Sequence, residues 1–243
     1  MPRGAEPVAA LEISGLRKRF GGVEALAGVD LSVTRDAILG IVGPNGSGKT
    51  TLFNVITGVF RPAAGRIVWE GHDIAGHPTH AIARRGLVRT FQQAMSFPAL
   101  TVAENVGIAW ARRRMAAPWA GPDAILDFMG LSEQSAEPAG RLPFGLLRRL
   151  GLAVALATAP RLLLLDEPGA GLNEAETAEL GELILQLPGR DIGVCLIDHD
   201  MALMARLCQR LVVLDFGTKI AEGPTRAVLE DPTVIDVYLG HRP

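Results

Sequence analysis

Gly43-Pro44-Asn45-Gly46-Ser47-Gly48-Lys49-Thr50-Thr51 follows the apolar run Ile38-Leu39-Gly40-Ile41-Val42 and opens a segment that reads as helix. A strand before and a helix after turn G-x-x-x-x-G-K-[ST] from a loose pattern into a phosphate-binding loop. Glycines let the backbone curl so that successive N–H groups converge on a phosphate. The helix N-terminus behind them adds partial positive charge. Lys49 supplies a full charge, and Thr50 offers a hydroxyl for Mg2+. The stretch predicts a nucleoside-triphosphate site.

Outward from the loop, other strand ends carry the polar groups such a site needs. Leu162 to Leu165 runs into Asp166-Glu167-Pro168, and the carboxyl end of a strand in an open α/β sheet lies beside the phosphate loop. Asp166 is placed to hold Mg2+, directly or through water, and Glu167 to polarise an attacking water. Gln92 ends the strand predicted over Leu87 to Phe91, where an amide contacts Mg2+ or the water. His199 follows the run Ile192 to Ile197 and is placed to orient the water near the γ-phosphate. Taken singly, a strand-end glutamine is a surface residue, a lone histidine is structural, and paired acids terminate a strand. Around one phosphate loop, the same residues read as a hydrolytic set.

The order of elements fits an α/β chain. Val8 to Phe20 and Val29 to Val33 read as strands separated by Gly21-Gly22, and Arg66 to Ile74 as a hairpin turning at Glu70-Gly71. A helix is expected over Thr79 to Arg85. From Gln93 to Ala159 the pattern is helix and loop only. Thr101 caps a helix there with Glu104 at the third position, Met115 to Pro122 reads as a linker, and a short helix covers Ala124 to Met129. Near-continuous apolar runs return afterwards and suit strands covered on both faces. Between them Asn173 caps a helix with Leu180, Leu183, Ile184 and Leu187 on one face. A strand over Leu211 to Leu214 and two helices close the chain.

Bulk properties exclude several classes. With 24 basic and 26 acidic residues there is no excess of positive charge, so no nucleic-acid partner is expected. Arg112-Arg113-Arg114 reads as the solvated end of a helix. Two cysteines fit neither a disulfide framework nor a metal spacing, which is usage of a reducing compartment. Met1 to Pro7 lacks the apolar core of a signal peptide, and no run reaches the roughly 18 apolar residues that span a bilayer. Any membrane role is expected to act through a partner.

Over nearly its whole length the chain resembles the ATP-binding subunits of ABC transporters. The loop from Gly43 to Thr51 matches Walker A, and Leu162 to Glu167 matches Walker B with its catalytic glutamate. Gln92 matches the Q-loop and His199 the switch histidine. Phe20 falls at the aromatic position that stacks on adenine, and Gly169 to Asn173 at the D-loop, with Asn173 for the usual aspartate. The resemblance implies a P-loop core over residues 1–92 and 159–243 with an antiparallel β subdomain, and an inserted helical subdomain over 93–158 carrying the signature motif. It also implies head-to-tail dimers in which ATP lies between one subunit's phosphate loop and the other's signature. That signature is Leu142-Pro143-Phe144-Gly145-Leu146, without the usual serine and glutamine. Pro143 has no N–H, so Gly145 and a helix from about Leu146 are the expected donors.

Leu-Pro-aromatic-Gly before Arg148-Arg149 is similar to the ATPases of branched-chain amino acid importers. Arg89 to Gln92, Thr101 to Asn105, Asp198 to Met201 and Tyr238-Leu239-Gly240 agree with that branch. Val154 departs from it, standing where an arginine is usual. The implied protein is an energy-coupling ATPase at the cytoplasmic face of the inner membrane. Its implied partners are membrane permeases, a second ATPase subunit of the same or a related kind, and indirectly a solute-binding protein. Met95, Phe97, Pro98 and Leu100 form an apolar stretch suited to docking the permease. Two rival readings are a soluble ABC-type ATPase acting on DNA or ribosomes, and a weakly catalytic regulatory module. Such soluble ATPases usually carry coiled coils or two cassettes, whereas one cassette is present here and 116 residues separate Lys49 from Asp166.

Overall fold

A computed structural model describes residues 10–90 and 96–239. In chain order it comprises β1 (Leu11–Phe20), β2 (Val23–Val33), β3 (Ile38–Val42), α1 (Lys49–Ile56), β4 (Ala64–Trp69), β5 (His72–Asp73), α2 (Thr79–Ala83) and β6 (Leu87–Thr90). There follow α3 (Val102–Arg112), α4 (Pro122–Phe128), α5 (Phe144–Ala157), β7 (Leu162–Asp166), α6 (Glu174–Leu185), β8 (Gly193–Ile197) and α7 (Met201–Leu207). The chain ends in β9 (Arg210–Asp215), β10 (Thr218–Pro224), α8 (Thr225–Leu229) and α9 (Pro232–Leu239). One sheet is antiparallel, in the order β2-β1-β4-β5. The other runs β10-β9-β3-β8-β7-β6, parallel except for the β9–β10 pair.

The apolar runs behave as strands covered on both sides. All five residues of β3, of β7 and of β8 are buried. Successive side chains point to opposite faces of a strand, and the core divides accordingly. Leu163, Leu165, Val194 and Leu196 join one apolar cluster with the helices from α3 to α7, while Leu162, Leu164, Cys195 and Ile197 join another with α1 and the antiparallel sheet. The parallel strands deliver their carboxyl ends to one edge. That edge carries the loop after β3, Asp166 at the end of β7 and His199 after β8.

Several boundaries differ from expectation. β2 begins at Val23, six residues before Val29, because it stays paired to β1 through register shifts that break its alternation. β6 is described to Thr90, so Gln92 and Met95 lie outside the described residues. Leu187 stays buried although α6 ends at Leu185. The stretch over 115–122 is anchored: Trp119 is buried, and the Arg190 guanidinium lies 4.4 Å from its ring. β10 has no counterpart in the sequence reading, since Gly223 and Pro224 mask its alternation. The two capping boxes, Thr101 with Glu104 and Asn173 with Glu176, are both formed.

Candidate functional site

The phosphate loop is shaped by its glycines, two of which, Gly43 and Gly48, sit where no side chain fits. Gly43, Gly46 and Gly48 have φ of 146°, 81° and 105°, a region that favours glycine. A Cβ on Gly43 would strike the Leu214 carbonyl of β9, and one on Gly48 would sit 2.6 Å from Ala25 O of β2. The turn between β9 and β10 braces the loop from the same side. Gly217 N–H donates to Ser47 O at 2.9 Å, and Gly217 O accepts from Ala27 N–H at 2.8 Å. Lys49 opens α1 with Gly48 as its N-cap and turns its ammonium back into the loop, donating to Gly43 O (2.7 Å) and Pro44 O (2.9 Å). Burial pulls the Lys49 pKa below the ordinary lysine value, and the charges of Glu167 and then Asp166 raise it in part.

Glu167 and His199 meet at the mouth of the loop. Glu167 takes φ 48°, uncommon for a residue with a side chain, and its N–H donates to Ile197 O of β8 at 2.8 Å. Conformations of that kind persist where the surroundings over-determine them. His199 Nε2 lies 2.9 Å from Glu167 Oε1. Asp198 sets this turn. Its buried carboxylate accepts from His199 N–H at 2.7 Å and Asp200 N–H at 3.0 Å, and from Gly169 N–H at 3.4 Å. Asn45, Gly46, Gly48, Lys49, Thr50, Thr51, Glu167 and His199 line one cavity of about 230 Å³ with Ala25. A carboxylate steadied by a histidine beside such a loop is equipped to polarise water against a phosphate.

Asp166 ends β7 almost fully buried, and its Oδ1 has no hydrogen-bond partner among the described residues. Oδ2 is held by Arg89 of β6 at 2.5 Å. Phe20 and Gly145 lie outside the cavity. Phe20 is 42% exposed at the end of β1, edge-on to Phe60 with ring centroids 5.1 Å apart. Gly145 is buried in the first turn of α5, where a Cβ would strike the Glu176 carboxylate. Pro143 is the N-cap, so α5 begins at Phe144, two residues before the expected start at Leu146.

With this geometry in view, relatives decide the family. The model of the ABC transporter family matches residues 26–170, and that of the branched-chain amino acid ATP-binding cassette transporter matches residues 218–242. A high-affinity branched-chain amino acid transport ATP-binding protein, BraF of Pseudomonas aeruginosa, is 39% identical, with 95% of this chain and 97% of that protein covered. The chain belongs to the ABC transporter ATP-binding family. LivG of Escherichia coli, another protein of that description, is 38% identical over the same shares. The crystal structure of the ADP conformation of MJ1267, an ATP-binding cassette of an ABC transporter, superposes with a TM-score of 0.87 at 31% identity, covering 96% of this chain and all of that one.

As a member of the family, the cassette binds and hydrolyses ATP, and its mixed α/β fold is that of ABC ATPases. The carboxyl-terminal match covers β10, α8 and α9, and this segment reaches the phosphate loop. Pro44 to Ser47 share a cavity with Phe216, Asp236 and Val237, and Gly43 N–H faces the Tyr238 phenol oxygen. Sequence reasoning assigned no task to Asp198, Arg89, Gly217 or Tyr238. For Gly217 a signal existed, an Asp-Phe-Gly stretch after the apolar run Leu211 to Leu214. For Asp198 the signal is an aspartate directly before the His199-Asp200 turn, whose N–H groups it accepts, whereas the contacts of Arg89 and Tyr238 are long-range and carry none.

Proposed function

We propose that this cassette is the energy-coupling ATPase of an importer for branched-chain amino acids, working with Mg2+ at the cytoplasmic face of the membrane. The observation that carries the catalytic part is the single cavity joining the phosphate loop to the Glu167–His199 pair. Lys49 and the loop N–H groups bind the phosphates, and Glu167 takes a proton from the attacking water while His199 holds its carboxylate. Thr50, Asp166 and Gln92 would hold Mg2+. The bare, buried Asp166 Oδ1 and a hydroxyl at the cleft fit an ion that draws its remaining ligands from phosphate and water. Bound there, Mg2+ supplies charge that stabilises the phosphates during transfer.

Phe20 would stack on adenine, and Gly145 would serve the nucleotide of a second ATPase subunit. Residues 1–92 and 159–243 act as one body and the helical residues 93–158 as another that docks the permeases through Phe97, Pro98 and Leu100. Among the described residues no helix is long and apolar enough to cross a membrane, which agrees with coupling through permease partners. The transported class comes from the matched carboxyl-terminal model and the named relatives.

One variant tests the reading. Glu167→Gln is expected to abolish ATP turnover while ATP still binds, and to fail to restore labelled-leucine uptake to cells lacking the chain, where wild type restores it. Unchanged hydrolysis would remove Glu167 as the base. Wild type that hydrolyses ATP without restoring uptake would remove the substrate assignment.

A further inference from the structure

Arg89 lies behind the cleft, in β6, with its side chain 7% exposed. Its guanidinium bridges β7 and α1. Nη2 donates to Asp166 Oδ2 at 2.5 Å, at the end of β7. Nη1 donates to Asn54 Oδ1 at 2.6 Å, and Cζ is 5.7 Å from the centroid of the Phe53 ring. Asn54 and Phe53 belong to α1, whose first residue is Lys49. The other oxygen of the same carboxylate, Oδ1, is buried and without a partner among the described residues. Buried polar atoms are as a rule satisfied. A carboxylate with one oxygen tied and the other bare is therefore aimed.

We propose that Arg89 is a positioning residue for the metal-binding carboxylate. By tying Asp166 Oδ2 to the phosphate-loop helix through Asn54, it fixes the direction in which Oδ1 meets Mg2+. This rests on the reading of Asp166 as a metal residue. A planar guanidinium reaches two acceptors on two elements at once, which a lysine ammonium on a flexible stem does not. The contrary role has the opposite sign. A cation 2.5 Å from the carboxylate that merely neutralised it would weaken Mg2+ binding, and its removal would tighten it.

The test is the Mg2+ dependence of nucleotide binding. Mg2+ is titrated against a fluorescent ATP analogue on the full chain, with no turnover followed. Removing groups that orient a metal's ligands typically lowers affinity by about 10–100-fold. Arg89→Met should therefore raise the half-saturating Mg2+ by about tenfold or more, leaving analogue binding in EDTA unchanged, and Arg89→Lys should fall between. In an Asp166→Asn background Arg89→Met should add nothing, because no carboxylate remains to aim. A half-saturation that is unchanged or lowered in Arg89→Met overturns the proposal, as does an effect that persists beside Asp166→Asn. If Arg89→Met does not fold, Asn54→Ala carries the test, since it loosens the guanidinium from α1 alone: a rise supports the proposal and no change overturns it. Failure of the underlying reading is distinguishable, because Asp166→Asn would then leave the Mg2+ dependence intact with Arg89 in place.

Discussion

Replacing Asp198 by alanine removes the anchor of the turn that carries His199. The carboxylate accepts two short backbone bonds, from His199 N–H at 2.7 Å and Asp200 N–H at 3.0 Å. The third, from Gly169 at 3.4 Å, lies at the edge of bonding range and is left out of the sum. A hydrogen bond to a charged group contributes about 1.5–3 kcal/mol. Two at the low end make about 3 kcal/mol, and water reaching these half-buried donors reduces the loss to roughly 2–3 kcal/mol. For a chain of this length 1 kcal/mol moves Tm by about 2–4 °C, so Asp198→Ala should melt roughly 4–12 °C lower. Asp198→Asn keeps both Oδ1 bonds and turns an amide toward the Gly169 N–H, donor against donor. Its cost should be about 1 kcal/mol.

The functional consequence follows from the same bonds. A released turn no longer sets His199 against Glu167, so kcat falls. ATP affinity is retained, because Asp198 touches none of the loop residues from Gly43 to Thr51. Calorimetric melting, ATP binding and ATP turnover, all measured below the lowest transition, read the three effects separately. An alanine variant that melts with the wild type refutes the anchor. One that melts lower yet turns over ATP at the wild-type rate refutes the link from the turn to His199.

Two further outcomes follow from titratable groups. Tyr238 is the only tyrosine; the residue is 40% exposed, yet the part of the ring packed against the protein pushes its pKa up, to about 12, opposed by the Gly43 N–H. Absorbance titration should show phenolate forming near 12 in the folded chain and near the ordinary value of about 10 in denaturant. A raised folded value favours the native state fully below the unfolded pKa and loses that contribution as pH rises through the folded one. Tyr238→Phe should flatten that alkaline limb, and an ordinary native titration would refute the desolvation of the phenol. Cys195 and Cys208 are both buried, and burial pushes Cys208 to about 12 and Cys195 higher still. A thiol reagent at mildly alkaline pH should spare both in the folded chain and take both in denaturant. Prompt labelling of the native protein would show that β8 and α7 part readily.

The fold was legible wherever local pattern and burial coincide. β3, β7 and β8 are runs of five buried residues, and a run covered on both faces announces itself in sequence. Capping boxes are equally local, three residues from donor to acceptor. β2 and β10 were harder because each is an edge strand interrupted by Gly28 or Gly223, so neither shows clean alternation. The proposed catalytic positions could be named from sequence because a strand end and a chemically suited side chain are adjacent in the chain. What holds them could not. Arg89 meets Asp166 across 77 positions, and Gly217 reaches Ser47 only because β9 lies beside β3. Partners of this kind are fixed by strand order, which no short motif encodes.

The segment proposed as the signature keeps backbone donors where its side chains differ from the usual ones. Pro143 and Leu146 replace a hydroxyl and an amide, yet the N-cap position Pro143 occupies needs no N–H for the helix, and its carbonyl accepts Leu147 N–H at 2.9 Å. The N–H groups of Phe144, Gly145 and Leu146 then have no intrahelical acceptor, as at the start of any helix. Their direction is set by packing. Phe144 covers Gly171, Arg148 donates to Ala170 O at 3.2 Å, and Glu176 fills the space beside Gly145. Glu176 is itself fixed by the capping box with Asn173. The first turn of α5 is thus referenced to residues 169–176, the segment leading away from Glu167. In the proposed dimer, the donors offered to the partner's nucleotide are therefore backbone groups whose placement depends on the chain's own Glu167-to-α6 connection. Any coupling between Glu167 and the first turn of α5 would run through this packing, by way of Ala170, Gly171 and Glu176.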